Sequence, residues 1–301
     1  MKTLINKIII IALLIGFTFS CKDEWVNVEP IATEDEGAFY LTQEDAEQAV
    51  TAVYAQLAYM TTWDREIQMN LGSIASDDAE AGGEDIGDVV EFQDFDKLTH
   101  LPSNQYLNNP FGVLYKAIFL ANKALEKLPD IPKNDPEASA AVINERIGEL
   151  KFLRALNHFY LTLLFGEVPL VDHVLGASEY EKPRSTFRAL YDFIEKDLKD
   201  AISVLPAKRD GKNIGRATKG AAQALLAKLY LFESSYAKNY PNDSRFSGLK
   251  ERWKDALDAA EDVINSGNYK LVGIDGEKYN TWRGSVDGYR FLFSSNGDNC
   301  A

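Results

Sequence analysis

Ala138-Ser-Ala-Ala-Val-Ile-Asn-Glu-Arg-Ile-Gly-Glu-Leu-Lys-Phe-Leu-Arg-Ala-Leu-Asn-His-Phe-Tyr-Leu-Thr-Leu-Leu-Phe165 is the longest stretch of this chain with one sustained period. Ile147, Leu150, Leu153, Leu156, Phe159, Tyr160, Leu163 and Leu164 recur three or four residues apart, the spacing that puts side chains on one face of a helix. Gly166 ends the pattern, and Val168-Pro-Leu-Val171 reads as extended. Inside this helix, Arg154-Ala-Leu-Asn-His-Phe-Tyr-Leu161 aligns with Ala224-Leu-Leu-Ala-Lys-Leu-Tyr-Leu231 at a spacing of 70. That is near twice the ~34-residue tetratricopeptide period. Asn122-Lys-Ala-Leu-Glu-Lys-Leu-Pro129 echoes Lys199-Asp-Ala-Ile-Ser-Val-Leu-Pro206. In such a repeat each helix pair buries its apolar face against the next pair.

Five more helices follow on either side. Thr42–Met60 has Thr42 as cap, Glu44 and Asp45 in its first turn, and Ala46, Ala49, Val50, Val53, Leu57 and Met60 on one face. After Pro110, Phe111, Leu114, Tyr115, Ile118, Leu125 and Leu128 form a stripe stopped by Pro129 and Pro132. Phe187–Leu205 stops at Pro206, and Thr218–Tyr236 is alanine-rich. Leu249–Ser266 aligns Trp253, Leu257, Ala260 and Ile264 as a core face, with Gly267 as C-cap. Thr61–Asn109 has no sustained period; it is a functional loop or holds short strands. The fold class expected is mainly α: a tetratricopeptide-like helical-repeat domain with long irregular loops.

Composition sets limits on function. The 301 residues are 46% hydrophobic and 26% charged, ordinary for a globular chain. With 46 acidic against 32 basic residues the net charge is −14, which argues against nucleic acid and against anionic lipid bound through a basic patch. Two cysteines exclude a disulfide-dense scaffold and a multi-cysteine zinc site.

The N-terminus reads as an address. Lys2 and Lys7 precede the uncharged run Ile8–Phe19, too short to span a bilayer, which takes about 20 residues. Thr18-Phe-Ser-Cys21 resembles a bacterial lipobox, with Phe19 where a small residue is preferred. Residues 1–20 then form a lipoprotein signal peptide and Cys21 is the lipidated (palmitate-bearing) first residue; ordinary cleavage with Cys21 incidental is the alternative. Lys22-Asp-Glu24 looks like the acidic tract that sends some Bacteroidota lipoproteins to the outer face. Residues 21–41, with Pro30 and no helical period, read as the tether.

No enzyme motif survives inspection. Gly215 and Gly220 have phosphate-loop spacing, but Ala221-Ala222 stands where Lys-Ser/Thr is needed. His100, His158 and His173 lack metal-ligand spacing, and His158 reads as a packed, satisfied histidine. Cys300 reads as incidental. Asp77, Asp78, Glu80, Glu84, Asp85 and Asp88 crowd one loop around Gly82-Gly83. Oxygen ligands there could hold calcium, but the spacing is not an EF-hand and a solvated acidic loop is the reading adopted; no cofactor or metal is expected.

Gly148–Leu161 with Leu164-Phe-Gly-Glu-Val-Pro-Leu-Val171 is similar to the signature of the SusD/RagB family. So are Gly215-Arg-Ala-Thr-Lys-Gly-Ala-Ala-Gln-Ala-Leu-Leu-Ala-Lys-Leu-Tyr-Leu231, Tyr115–Asn122, and Trp253 with Ala256, Ala260 and Gly267-Asn-Tyr-Lys-Leu271. The resemblance implies a lipid-anchored outer-membrane protein facing the exterior. It implies a lid over a SusC-like TonB-dependent transporter, binding a glycan or other nutrient for uptake. Residues 42–271 cover the helical part. The family's C-terminal half is expected to be absent, so 272–301 reads as the start of an incomplete C-terminal region.

Sugar binding sets flat aromatic faces against sugar rings and lets amides and carboxylates take the hydroxyls. Trp63, Asn104 and Tyr106, near Asp77 and Asp78, supply that chemistry in the irregular loop; alternatively Trp63 and Tyr106 cover the first helices. Trp253 reads as core, and Trp282 beside Arg283 as either core or site. The expected function is nutrient capture, a glycan foremost, without catalysis. The rivals are a helical scaffold binding peptide or protein, and a secreted glycosidase whose paired carboxylates would do the work.

Overall fold

The computed structural model describes residues 39–59, 68–85 and 87–269. Cys21, Trp63, Trp282, Arg283 and Cys300, and the segments 1–20 and 272–301, lie outside them. The chain divides into two units, Met1–Phe39 and Tyr40–Ala301, and the helices belong to the second.

Among the described residues there are eight α-helices and no strand: α1 Gln43–Tyr59, α2 Val90–Asp96, α3 Gln105–Lys127, α4 Ile131–Asn134, α5 Ala140–Phe165, α6 Phe187–Val204, α7 Lys219–Asn239 and α8 Trp253–Asn265. None is long and apolar enough to cross a membrane. The six long helices are the six expected; α2 and α4 are too short for a period to register. Hydroxyls fix four starts. Thr42 Oγ1 accepts from Asp45 N while Asp45 Oδ2 accepts from Thr42 N, and Ser139, Thr186 and Thr218 cap α5, α6 and α7.

Two helices depart from the sequence reading. α3 starts at Gln105, ahead of Pro110, because the Asn104 side chain accepts from Tyr106 N and caps it. Pro110 then sits in the early turns, where its missing N–H removes a single bond. α8 starts at Trp253 rather than Leu249 and buries Ala256 and Ala259. Trp253, Leu257 and Ile264 of the expected core stripe are 41%, 55% and 71% exposed. The reading of Trp253 as core is therefore corrected. The small alanines let α8 approach α7 closely, and the bulky stripe turns outward.

The long helices pack largely in chain order: α1 on α3 and α5, α3 on α5, α5 on α6, α6 on α7 and α7 on α8. This is the layering of a helical repeat, and the echoing segments of α5 and α7 flank α6 on either side. One core runs through Phe159, Tyr191, Leu198 and Leu229; another joins Leu114, Ile118, Leu161, Val168 and Leu190. At the α5–α6 crossing a Cβ on Gly148 would stand 2.4 Å from Val204 Cγ2, so only glycine fits there.

Candidate functional site

The irregular region expected to bind ligand folds around a small apolar cluster of Ile74, Phe95 and Tyr106, with Leu71, Val89 and Phe92 packed on it. A π-helical turn, Gln68–Ile74, leads into the acidic loop, and α2 follows. Asp77 and Asp78 are exposed on that loop. Asn104 and Tyr106 are not: they are 7% and 3% exposed. Asn104 Oδ1 accepts from Tyr106 N at 2.9 Å and its Nδ2 donates to the Glu91 carbonyl at 3.2 Å. The Tyr106 ring lies 4.5 Å from Phe92. Capping and core packing thus engage groups of both residues that a sugar would use. The structure therefore does not bring Asp77 and Asp78 together with Asn104 and Tyr106 on one surface.

The backbone around α2 is strained. Val89 and Leu98, at φ +44° and +55°, bracket this helix in the left-handed region that a β-branched or bulky side chain disfavours. Val90, Leu98 and Leu101 stand exposed. The acidic loop is braced from within: Ala81 N donates to Asp96 Oδ2, Gln93 Nε2 to the Ala81 carbonyl and Glu84 N to Asp88 Oδ2. Among the described residues no three acidic, histidine or cysteine side chains converge to hold a metal.

Charged residues of the sequence signature have a different task. Arg154 binds Asp197 with two bonds, Nε to Oδ2 at 2.7 Å and Nη2 to Oδ1 at 2.8 Å. Its Nη1 donates to Asn122 Oδ1 and to the Asp172 carbonyl. Asn122 Nδ2 in turn donates to the carbonyls of Val171 and His173, and Tyr115 Oη to that of Pro169. The extended Val168–Val171 segment is thus strapped across α3 and α5, and α6 is tied to both. A second cluster joins α1, α5 and the segment before α7. Glu149, wholly buried, meets Arg146 at 2.8 Å, Arg209 at 3.2 Å and Arg216 at 2.8 Å. Tyr54 Oη donates to the same carboxylate at 2.8 Å. A third holds buried Glu233 against Arg188, with Glu195 bound by Arg252. The family blocks held Glu149, Arg154 and Arg216 but not the pairings, most of which join positions tens of residues apart.

The sequence matches the model of a SusD-like family, described as starch-binding and associating with the outer membrane, over residues 34–231. The chain belongs to the SusD-like family. It is similar to a SusD-like protein of Bacteroides ovatus, 26% identical over 77% of this chain and 40% of that protein. The starch-binding protein SusD of Bacteroides thetaiotaomicron is 34% identical over 29% of this chain and 15% of its own length. Among solved structures a laminarin-binding SusD-like protein matches at 28% identity with a TM-score of 0.64, over 77% of this chain and 44% of that one. This SusD-like chain spans less than half the length of each of these relatives. The helical architecture expected from the periodicity and from the resemblance is shared with them. Two of these relatives are named for a polysaccharide that they bind, starch and laminarin. In this chain the described carboxylates that are wholly buried, Glu149 and Glu233, are engaged by arginines.

Proposed function

We propose that this chain is the helical part of a cell-surface lipoprotein that captures a glycan and passes it to a SusC-like TonB-dependent outer-membrane transporter. Cys21 carries the lipid anchor and 21–41 tether the helices to the membrane. The family match over residues 34–231 carries the reading, and the laminarin-binding relative supports a polysaccharide as the ligand class. Ligand contacts are assigned to exposed Asp77 and Asp78 and to Trp63; Asn104 and Tyr106 hold the loop that presents them. In this reading the chain holds the sugar and does no chemistry on it.

Two measurements test this. On a glycan array the protein is expected to bind at least one polysaccharide, with binding weakened by Trp63→Ala; an array without a binder removes the glycan reading. In cells fed a fatty-acid probe, Cys21→Ala is expected to abolish labelling. Labelling that persists in that variant removes the anchor.

A further inference from the structure

The connection between α7 and α8 opens on an exposed aromatic ring. α7 closes on Tyr240, whose N–H donates to the Tyr236 carbonyl at 3.0 Å. Tyr240 is nonetheless 51% exposed. Its ring leans on Phe246 at 5.3 Å, and Phe246 lies parallel to Tyr236 at 4.7 Å and within 4.8 Å of the Phe187 ring. A continuous aromatic column thus runs from the α6–α7 core to the surface and ends on a half-open tyrosine. Backbone hydrogen bonds tie the loop: Asp243 N donates to the Tyr240 carbonyl, Phe246 N to that of Asp243 and Leu249 N to that of Phe246.

Around the ring lies a shallow concavity of about 580 Å³ lined by Asn239, Tyr240, Pro241, Asn242, Asp243 and Ser244. Asp243 is locked to Arg245, whose Nε lies 3.1 Å from both carboxylate oxygens and whose Nη2 donates to Oδ2 at 2.6 Å. A guanidinium has five N–H donors, so this pairing leaves others for a ligand. Trp253 stands at the same end of the α7–α8 pair, with Lys238 Nζ 5.9 Å from its ring centre. A flat apolar face ringed by amides, a hydroxyl and a fixed Asp–Arg pair is complementary to a pyranose, whose one face is apolar and whose rim is hydroxyls. Because the ring is already held, binding immobilises little protein.

We propose that this loop is a carbohydrate-contact platform centred on Tyr240, at the opposite end of the helix stack from the acidic loop. The proposal rests on the glycan-binding reading and adds a second point of contact for one extended polysaccharide. Two contacts on a single chain raise the apparent affinity for long over short saccharides.

The test uses the full chain in native gels cast with the polysaccharide identified on the array, starting with soluble starch and laminarin. Tyr240→Ala is expected to weaken retardation about fivefold, from the loss of one ring-stacking contact. Tyr240→Phe keeps wild-type retardation, and Asn242→Ala, on the exposed rim, weakens it about twofold, the loss expected of one solvent-exposed hydrogen bond. Thermal melts matched to wild type show that each variant is folded. Retardation unchanged in both Tyr240→Ala and Asn242→Ala overturns the platform and leaves the glycan reading standing. A wild-type chain that no polysaccharide retards overturns both.

Discussion

At the scale of single residues, two buried groups show how environment sets behaviour. His158 is wholly buried, with Nδ1 3.0 Å from the Arg154 carbonyl, no partner on Nε2, and Phe193 edge-on to its ring. It is packed as expected but satisfied on one nitrogen only. Burial lowers its pKa from 6.5 to about 4. A folded pKa below the unfolded one means that the native state favours the neutral ring. That stability is fully present above pH 6.5 and is lost as pH falls toward 4, by about 3 kcal/mol in all. Urea midpoints of wild type are expected to fall between pH 7 and 4.5 more steeply than those of His158→Phe; equal slopes would refute the assignment. Arg154→Met strands the Asp197 carboxylate in the core and is expected to destabilise by about 3–5 kcal/mol. Adding Asp197→Leu removes that unpaired charge, so the double variant should recover about half of the loss, read as a coupling energy in the same urea series.

At the scale of elements, α8 is the most instructive case. Its period is the clearest of the helices, yet the period marks a stripe of large side chains rather than the buried face. Ala256→Leu, at the α7 contact, is expected to overpack and cost about 1–3 kcal/mol. Leu257→Ala, one residue on, should change stability by no more than about 0.5 kcal/mol. Thermal melts giving the reverse order would restore the sequence reading of this helix. α3 teaches the complementary lesson. A proline was read as the start of a helix, but a cap six residues earlier, the side chain of Asn104, determined it.

At the scale of the whole molecule, the arginine–carboxylate clusters fasten successive helices into one stack. Burial by itself raises carboxylates such as Glu47, Glu145 and Glu195; their arginine partners outweigh it and hold all three below the ordinary value, Glu195 at about 2. A depressed folded pKa gives stability that is present above about pH 4.5 and lost on further acidification. Acid unfolding is therefore expected to begin with His158 and to finish through these carboxylates.

Capping hydroxyls, apolar periods and the Gly148–Leu161 and Leu164–Val171 blocks are written in neighbouring residues, and so the six long helices, their order and the family could be read directly from the chain. Helix formation answers to local spacing, which a sequence displays. Which face of α8 is covered, that Asn104 and Tyr106 are buried, that Arg154 straps α3, α5 and α6 together, and that Tyr240 ends an aromatic column were decided by the tertiary structure. Each depends on partners far away in the chain, because burial and charge pairing are set by what packs against a residue and not by what precedes it.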